Sequence, residues 1–452
     1  MSYASFFAGK RVTQLGLGLL GRGIKDADFL ARHVEHLTVT DKKSAQDLAT
    51  SVQALAHHKN ITFVLGEHRL EDFETPDFVL KAAGVPLDSP YIARAREKGI
   101  PVFMDESLFL HLAPPMLDIG VTGTRGKTTT TSLIHHCLAQ STLVKGKRLF
   151  LGGNIQDTAT LPFLERAQEG DVIVSELSSW QLQGYGDLKR SPHVAVFTNL
   201  FADHLPYYNN NMRLYFDDKA QIFRHQSPED FLICTPQLKQ VLESYAVQPP
   251  SRVIVVQTEE YKPFIDASPL LGDHNHLNIA CAVAACRVAG MNDEEILAGV
   301  RTFTGVSGRL ERVQTTLPFA VYNDTTSTTP DALGVALDAF AKQHAKHVVL
   351  IMGGADKNLD FTSVYPKIQH VVKTLYLTPG AGSTRLLPDL KRICEEAGTS
   401  LLPVASTAEA VRLAKEHTQP QDTLLFSPGC SSFAEFANEY DRGTKFLQWL
   451  AG

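Results

Sequence analysis

The sequence predicts an α/β protein built as three domains in series. The chain has 452 residues, and at roughly 150 residues per domain this suggests about three. Short β-rich runs alternate with helical patterns along the whole length, the signature of parallel sheets covered by helices. Two glycine-rich loops each stand between a predicted strand and a predicted helix. Hydrophobic residues make up 44% and charged residues 20%, a balance that gives each domain a core of its own.

In the first third, strands are expected at Val12 to Leu15, Leu37 to Thr40, Ile61 to Leu65, Phe78 to Lys81 and Val102 to Met104. Ala113-Pro114-Pro115 reads as a linker, so the first domain is expected over 1–112. The middle third restarts the alternation with strands at Met116 to Val121, Asp171 to Ser175, Val194 to Thr198, Phe231 to Cys234 and Val253 to Val256. A helix runs from the Gly-Thr turn through Gln140, and Ala280 to Gly290 is an Ala-rich helix. Glycines and a serine at 305–308 end this domain, giving 113–308. The last domain, 309–452, has apolar runs at Ala320 to Tyr322, His347 to Met352, Thr374 to Leu377 and Thr423 to Phe426.

Net charge is -6, from 43 Lys+Arg against 49 Asp+Glu, which argues against nucleic-acid binding over a general basic surface. The six cysteines form no C-x-x-C pair, so neither a disulfide framework nor a structural zinc site is expected, and a reducing, cytoplasmic setting fits. No signal peptide is read at the N-terminus, and no apolar run approaches the roughly 20 residues of a membrane span.

Gly123-Thr124-Arg125-Gly126-Lys127-Thr128 is the strongest motif. Glycines let backbone N–H groups turn toward phosphate oxygens, and the helix that follows adds its positive dipole end. Lys127 can reach β- and γ-phosphates, and the Thr128 hydroxyl suits a magnesium position. Val121 stands where the strict phosphate-loop spacing has glycine, so the loop is a variant. Gly16-x-Gly18-x-x-Gly21, with Asp41 about 20 residues on, fits a dinucleotide fingerprint. A nicotinamide site, a nucleotide-sugar diphosphate site and a plain structural turn all remain open for it.

Seven ordered segments together resemble the Mur ligase family: the phosphate loop; Gly152-Gly153-Asn154-Ile155; Ser175-Glu176-Leu177-Ser178-Ser179-Trp180-Gln181-Leu182; Thr198 to Leu205 with Lys219 following; His274-Asn275-x-x-Asn278; Gly308-Arg309-Leu310-Glu311 with Asn323-Asp324; and Ser427 to Phe433, as in glutamate-adding members. The resemblance implies Rossmann-like first and last domains around a P-loop ATPase-like centre. It implies a monomeric, ATP-dependent and magnesium-dependent ligase of peptidoglycan precursor synthesis, adding D-glutamate to UDP-N-acetylmuramoyl-L-alanine through an acyl phosphate.

The resemblance also implies residue roles. Lys127 neutralises the transferred phosphoryl group, and Thr128, Glu176, His204 and Lys219 hold magnesium, Lys219 after carbamylation by carbon dioxide. Gly123, Thr124, Gly126, Thr129, Asn278, Arg309 and Asp324 contact ATP. Gly18, Leu19, Leu20, Asp41 and Asn154 hold the UDP-linked substrate, and Thr328, Lys357 and Ser432 the glutamate. A histidine is an unusual magnesium ligand; on residues alone His204 reads equally as an ordinary surface histidine, and Lys219 as a helix-surface lysine.

The chain departs from the family pattern in places. Thr326 replaces the lysine of the motif after Asn-Asp, Glu439 stands at an aromatic position, Gln156 replaces a glycine, and Ala82-Ala83-Gly84 replaces Ser-Pro-Gly. These changes make L-glutamate a second candidate substrate. A ligase extending a γ-glutamyl chain, a nucleotide-binding regulator without ligase activity and a nicotinamide dehydrogenase are the competing readings.

Overall fold

The computed structural model describes residues 2–18, 21–155, 158–341 and 346–452. The strands of the first sheet are β1 (Arg11–Leu15), β2 (His36–Asp41), β3 (Ile61–Leu65), β4 (Phe78–Lys81) and β5 (Val102–Phe103), parallel in the order β3-β2-β1-β4-β5. The second sheet holds β6 (Leu117–Thr122), β7 (Leu149–Gly153), β8 (Val172–Glu176), β9 (Val194–Phe197), β10 (Phe231–Cys234) and β11 (Arg252–Val255), parallel in the order β11-β10-β9-β6-β8-β7. The third comprises β12 (Glu311–Val313), β13 (Ala320–Asn323), β14 (Val348–Gly353), β15 (Val372–Thr378), β16 (Ser400–Pro403) and β17 (Thr423–Gly429), in the order β12-β13-β17-β14-β15-β16 with only β12 antiparallel.

Central strands are apolar because both faces are covered. Every residue of β17, β14, β8 and β4 is buried. Strands β7, β12 and β16 were not expected from sequence. Each is an edge strand, and edges need less apolar sequence: β7 ends in two glycines, β12 is Glu-Arg-Val, and β16 closes on a proline. The expected Ala-rich helix begins earlier, at His274, and ends at Val288.

Two compact units emerge: Met1–Asp266 with Leu277–Val300, and Ala267–His276 with Arg301–Gly452. The first contains two sheets, the second the third sheet. Within the first unit Arg22 connects the sheets, its guanidinium donating to the carbonyls of Gly153 at 2.6 Å and Thr158 at 3.0 Å. Among the described residues no helix is long and apolar enough to cross a membrane, and all six cysteines are free and buried.

Behind Arg22 lies a group of buried acids, Asp26, Asp105 and Glu106. Burial, then the neighbouring Asp105 charge, pushes the Glu106 carboxyl up to about 8, so it is largely protonated at neutral pH. An unfolded glutamate ionises near its ordinary value of 4.5. Between those two values the folded state holds the extra proton, and stability therefore falls as pH rises from about 4.5 to about 8. E106Q removes this slope. The variant is expected to match the wild-type melting temperature at pH 4.5 and to exceed it by at least ~2 °C at pH 8.5; parallel melting curves across that range would contradict a protonated Glu106.

Candidate functional site

β6 is central in its sheet, between β9 and β8, so the phosphate loop leaves at a topological switch point, where open α/β sheets bind ligands. Gly126 has φ 82° and caps the helix Lys127–Ala139; a Cβ there would stand 2.1 Å from the Asn278 side-chain oxygen. Only glycine fits this approach. The next loop, after β9, wraps the phosphate loop: Thr124 N donates to Asn199 O at 2.9 Å, Arg125 N to Asn199 Oδ1 at 2.8 Å, and Thr198 Oγ1 to Arg125 O at 2.6 Å. Lys127 Nζ folds back onto the carbonyls of Gly123 and Thr124, 3.0 Å from each. Thr128 and Thr129 stand half-buried in the first helical turn.

Lys219, on the helix Met212–Arg224, is not a surface lysine. It is 1% exposed, donates to Gly123 O at 2.9 Å and lies 4.9 Å from the centre of the Tyr215 ring. Burial, then the charge of Lys127, lowers its amine well below the ordinary lysine range, which favours the neutral, nucleophilic form. Glu176 ends β8 and is 2% exposed. One of its carboxylate oxygens accepts from Asn154 Nδ2 at 3.2 Å; the other is buried and has no hydrogen bond from protein. An orphaned carboxylate oxygen at the end of a central strand suits a hard cation.

The segment after Glu176 also has a folding role. Ser178 and Gln181 form a reciprocal capping box that starts the helix Ser179–Leu188 directly behind Glu176. Gly153, with φ 81°, is needed because a Cβ would meet Glu176 O at 2.0 Å. Asn154 is itself exposed, with its N–H bonded to Glu176 O at 2.7 Å.

His204 adopts φ 52°, a left-handed conformation costing about 1–3 kcal/mol in a non-glycine residue. Its ring lies 4.9 Å from that of Trp180. Burial lowers its pKa against the opposing pull of Asp203, with Lys127, Lys219 and Arg125 adding to the lowering. The neutral ring keeps a lone pair for a metal or a hydrogen bond.

At the N-terminal glycine loop, Asp41 ends β2 and turns its carboxylate inward. It accepts from Leu17 N at 2.9 Å, Gly18 N at 3.0 Å and Lys43 N at 2.9 Å. Burial raises its pKa, but these three N–H groups outweigh it and hold the carboxyl below the ordinary range. In the dinucleotide reading the same residue faces a ribose; here it braces the loop and takes up the Gly18 amide. Leu19 and Leu20, expected substrate contacts, lie outside the described residues, as does Gln156.

In the second unit, Lys357 Nζ donates to Thr328 Oγ1 at 3.0 Å, and the loop after β14 pairs with the loop after β17 through Ala355 N to Ser431 O at 2.9 Å. Thr328, Lys357 and Ser432 thus come from loops that follow the neighbouring central strands β13, β14 and β17. Arg309 is exposed. Asp324 is buried: its oxygens accept from Leu310 N at 3.0 Å and Ser427 Oγ at 2.7 Å, and burial pushes its carboxyl up to about 7. Sequence reasoning missed Arg442. Its buried guanidinium donates to Thr325 O at 2.7 Å and Cys430 O at 3.1 Å, bracing the two loops that carry Thr328 and Ser432. No periodicity distinguishes it from a solvated helix arginine.

Replacing Gly126 by alanine combines the left-handed strain with an overlap against Asn278. G126A is expected to fold yet bind ADP at least ~10-fold more weakly by calorimetry, which is about 1.4 kcal/mol. Unchanged ADP affinity would remove the loop from the nucleotide site.

The chain is similar to known proteins over nearly its whole length. Residues 121–262 match the Mur ligase middle domain, and residues 308–430 the glutamate ligase domain of Mur ligases. A UDP-N-acetylmuramoylalanine--D-glutamate ligase of Roseiflexus sp. (strain RS-1) is 34% identical over 97% of this chain and 98% of its own length. Among solved structures, the UDP-N-acetylmuramate-alanine ligase of Thermotoga maritima superposes with TM-score 0.59 at 18% identity, over 97% of this chain and 98% of that one. A MurF ligase from the same organism, in complex with ADP, gives TM-score 0.55 at 14% identity, over 100% and 96%. These structures share the fold, and the sequence relationship over nearly the full chain carries the assignment: the chain belongs to the Mur ligase family.

Proposed function

We propose that the chain is an ATP-dependent ligase that joins the amine of D-glutamate to the terminal carboxyl of UDP-N-acetylmuramoyl-L-alanine in peptidoglycan precursor synthesis. The observation that carries this reading is the pairing of a phosphate loop with a buried lysine, Lys219, against the loop carbonyl of Gly123. The full-length relationship to a ligase named for these substrates supports it.

In the proposed chemistry a carboxylate oxygen of the acyl substrate attacks the γ-phosphorus of ATP. The bond to the bridging oxygen breaks, ADP leaves with its electron pair, and an acyl phosphate remains. The neutral glutamate amine then adds to the carbonyl carbon, loses a proton, and the tetrahedral intermediate expels inorganic phosphate. Lys127 and the N–H groups opening the helix Lys127–Ala139 neutralise the moving phosphoryl charge. Positioning supplies much of the remaining acceleration.

Magnesium, when bound, would screen phosphate and carboxylate charge. Glu176, with its unpartnered buried oxygen, and Thr128 fit it by chemistry; His204 and Lys219 complete the proposed ligand set. Lys219 serves there as a carbamate: its neutral amine adds to carbon dioxide and releases a proton, turning an uncharged amine into an anion. Gly123, Thr124, Gly126, Thr129 and Asn278 are proposed nucleotide contacts. Gly18, Leu19, Leu20, Asp41 and Asn154 are assigned to the UDP-linked substrate, Asp41 by bracing the loop. Thr328, Lys357 and Ser432 are assigned to glutamate. The three sheets are taken as three domains, 1–112, 113–308 and 309–452, of a monomeric cytoplasmic enzyme.

L-glutamate is the second reading, favoured by Thr326 at the position of a family lysine. Phosphate release measured with each enantiomer offered separately decides between them. The first reading expects D-glutamate to be preferred by at least ~100-fold in kcat/KM, about 2.7 kcal/mol; dominant turnover of L-glutamate, or turnover on a folate acceptor instead, overturns it. K127A is expected to leave at most a few per cent of activity. K219A is expected to be inactive and to regain part of its rate in acetate or formate, and failure of both salts would remove the carbamate.

A further inference from the structure

We propose that Asp203 is a positioning residue that sets both the turn presenting His204 and the side chain of Arg125 on the phosphate loop. The inference rests on the ligase reading and concerns groups in a single compact unit. Asp203 and Arg125 have no assigned role in the chemistry above.

The two carboxylate oxygens of Asp203 do different things. Oδ1 accepts the backbone N–H of His204 at 2.9 Å. That bond ties the backbone at a residue in the left-handed conformation, with φ 52° at His204. A β-carbon makes this conformation unfavourable, so the turn needs a local tie, and a short acidic side chain one residue earlier supplies it. Oδ2 accepts from Arg125 Nη1 at 3.0 Å and lies 3.9 Å from His204 Nε2. Arg125 belongs to the phosphate loop, where its own backbone N–H and carbonyl are already held by Asn199 and Thr198. Asp203 therefore adds a side-chain link between two loops that share backbone bonds. The exposed pair Arg125–Asp203 is worth little to global stability, so its consequence is local orientation.

The two arms separate by substitution. D203N keeps an oxygen able to accept the His204 N–H but turns an amide toward Arg125. D203A removes both arms, and R125M removes only the second. D203A is expected to raise the magnesium midpoint of ADP formation about tenfold, the usual effect of losing a group that orients a metal ligand. Mn2+ binding by the ADP-bound protein, followed by electron paramagnetic resonance, is expected to weaken by the same factor. D203N and R125M are expected to stay within about threefold of wild type in metal affinity while both raise the KM for ATP. Melting temperatures are expected to agree within about 2 °C across the set, which a merely structural role would not give. A magnesium midpoint and Mn2+ affinity in D203A within twofold of wild type overturn the proposal, as does a melting temperature loss in D203A large enough to account for weaker metal binding. Failure of the ligase reading shows separately, as wild-type protein that forms no ADP with any substrate combination.

Discussion

The chemistry depends on the hydrogen bonds that lace the loop after β6 to the loop after β9. Thr124, Arg125, Thr198, Asn199 and Phe201 exchange backbone and side-chain bonds, from Thr124 N to Asn199 O through Phe201 N to Thr124 Oγ1 at 2.9 Å. A glycine-rich loop on its own is costly to order. Here a neighbouring loop satisfies it, and the groups it carries are fixed before any ligand arrives. Lys127 is held by carbonyls of the same loop, and Lys219 by the Gly123 carbonyl. Two lysine amines are thereby gathered at one strand end, Lys219 buried and Lys127 half-buried.

Much of the scaffold was legible because central parallel strands are covered on both faces. Their apolar runs appear whole in the sequence, as Val348 to Met352 and Thr423 to Phe426 do. The missed strands β7, β12 and β16 lie at sheet edges, where half the backbone has no strand beside it and composition is freer. Residues also look alike in sequence when their burial differs. Lys219 stands in an amphipathic helix among charged neighbours, yet it faces inward against Tyr215.

The candidate site divides in the same way. Glu176 and Lys127 were readable because each follows a strand and opens onto a helix, a local pattern. Arg442 and the inward-facing Asp41 were not, since their roles come from long-range contacts: Arg442 reaches loops near 325 and 430, and Asp41 reaches back to amides at 17 and 18. Ser178 and Gln181 stand in a family motif and also cap the helix Ser179–Leu188.

The departure at Thr326 changes charge without changing the loop. Thr326 N and Oγ1 both donate to the Gly308 carbonyl, at 3.0 and 2.9 Å, and the neighbouring Thr325 carbonyl is held by Arg442. What disappears is one ammonium beside the loops that carry Thr328 and Ser432. Lys357, fastened to Thr328 at 3.0 Å, remains as a cation on those loops. If these loops hold glutamate as proposed, the amino acid would meet fewer charges and more hydroxyls, and its orientation would depend on hydrogen-bond geometry more than on ion pairing. Geometry of that kind distinguishes enantiomers, since mirror-image ligands carry the same charges but direct their donors and acceptors differently.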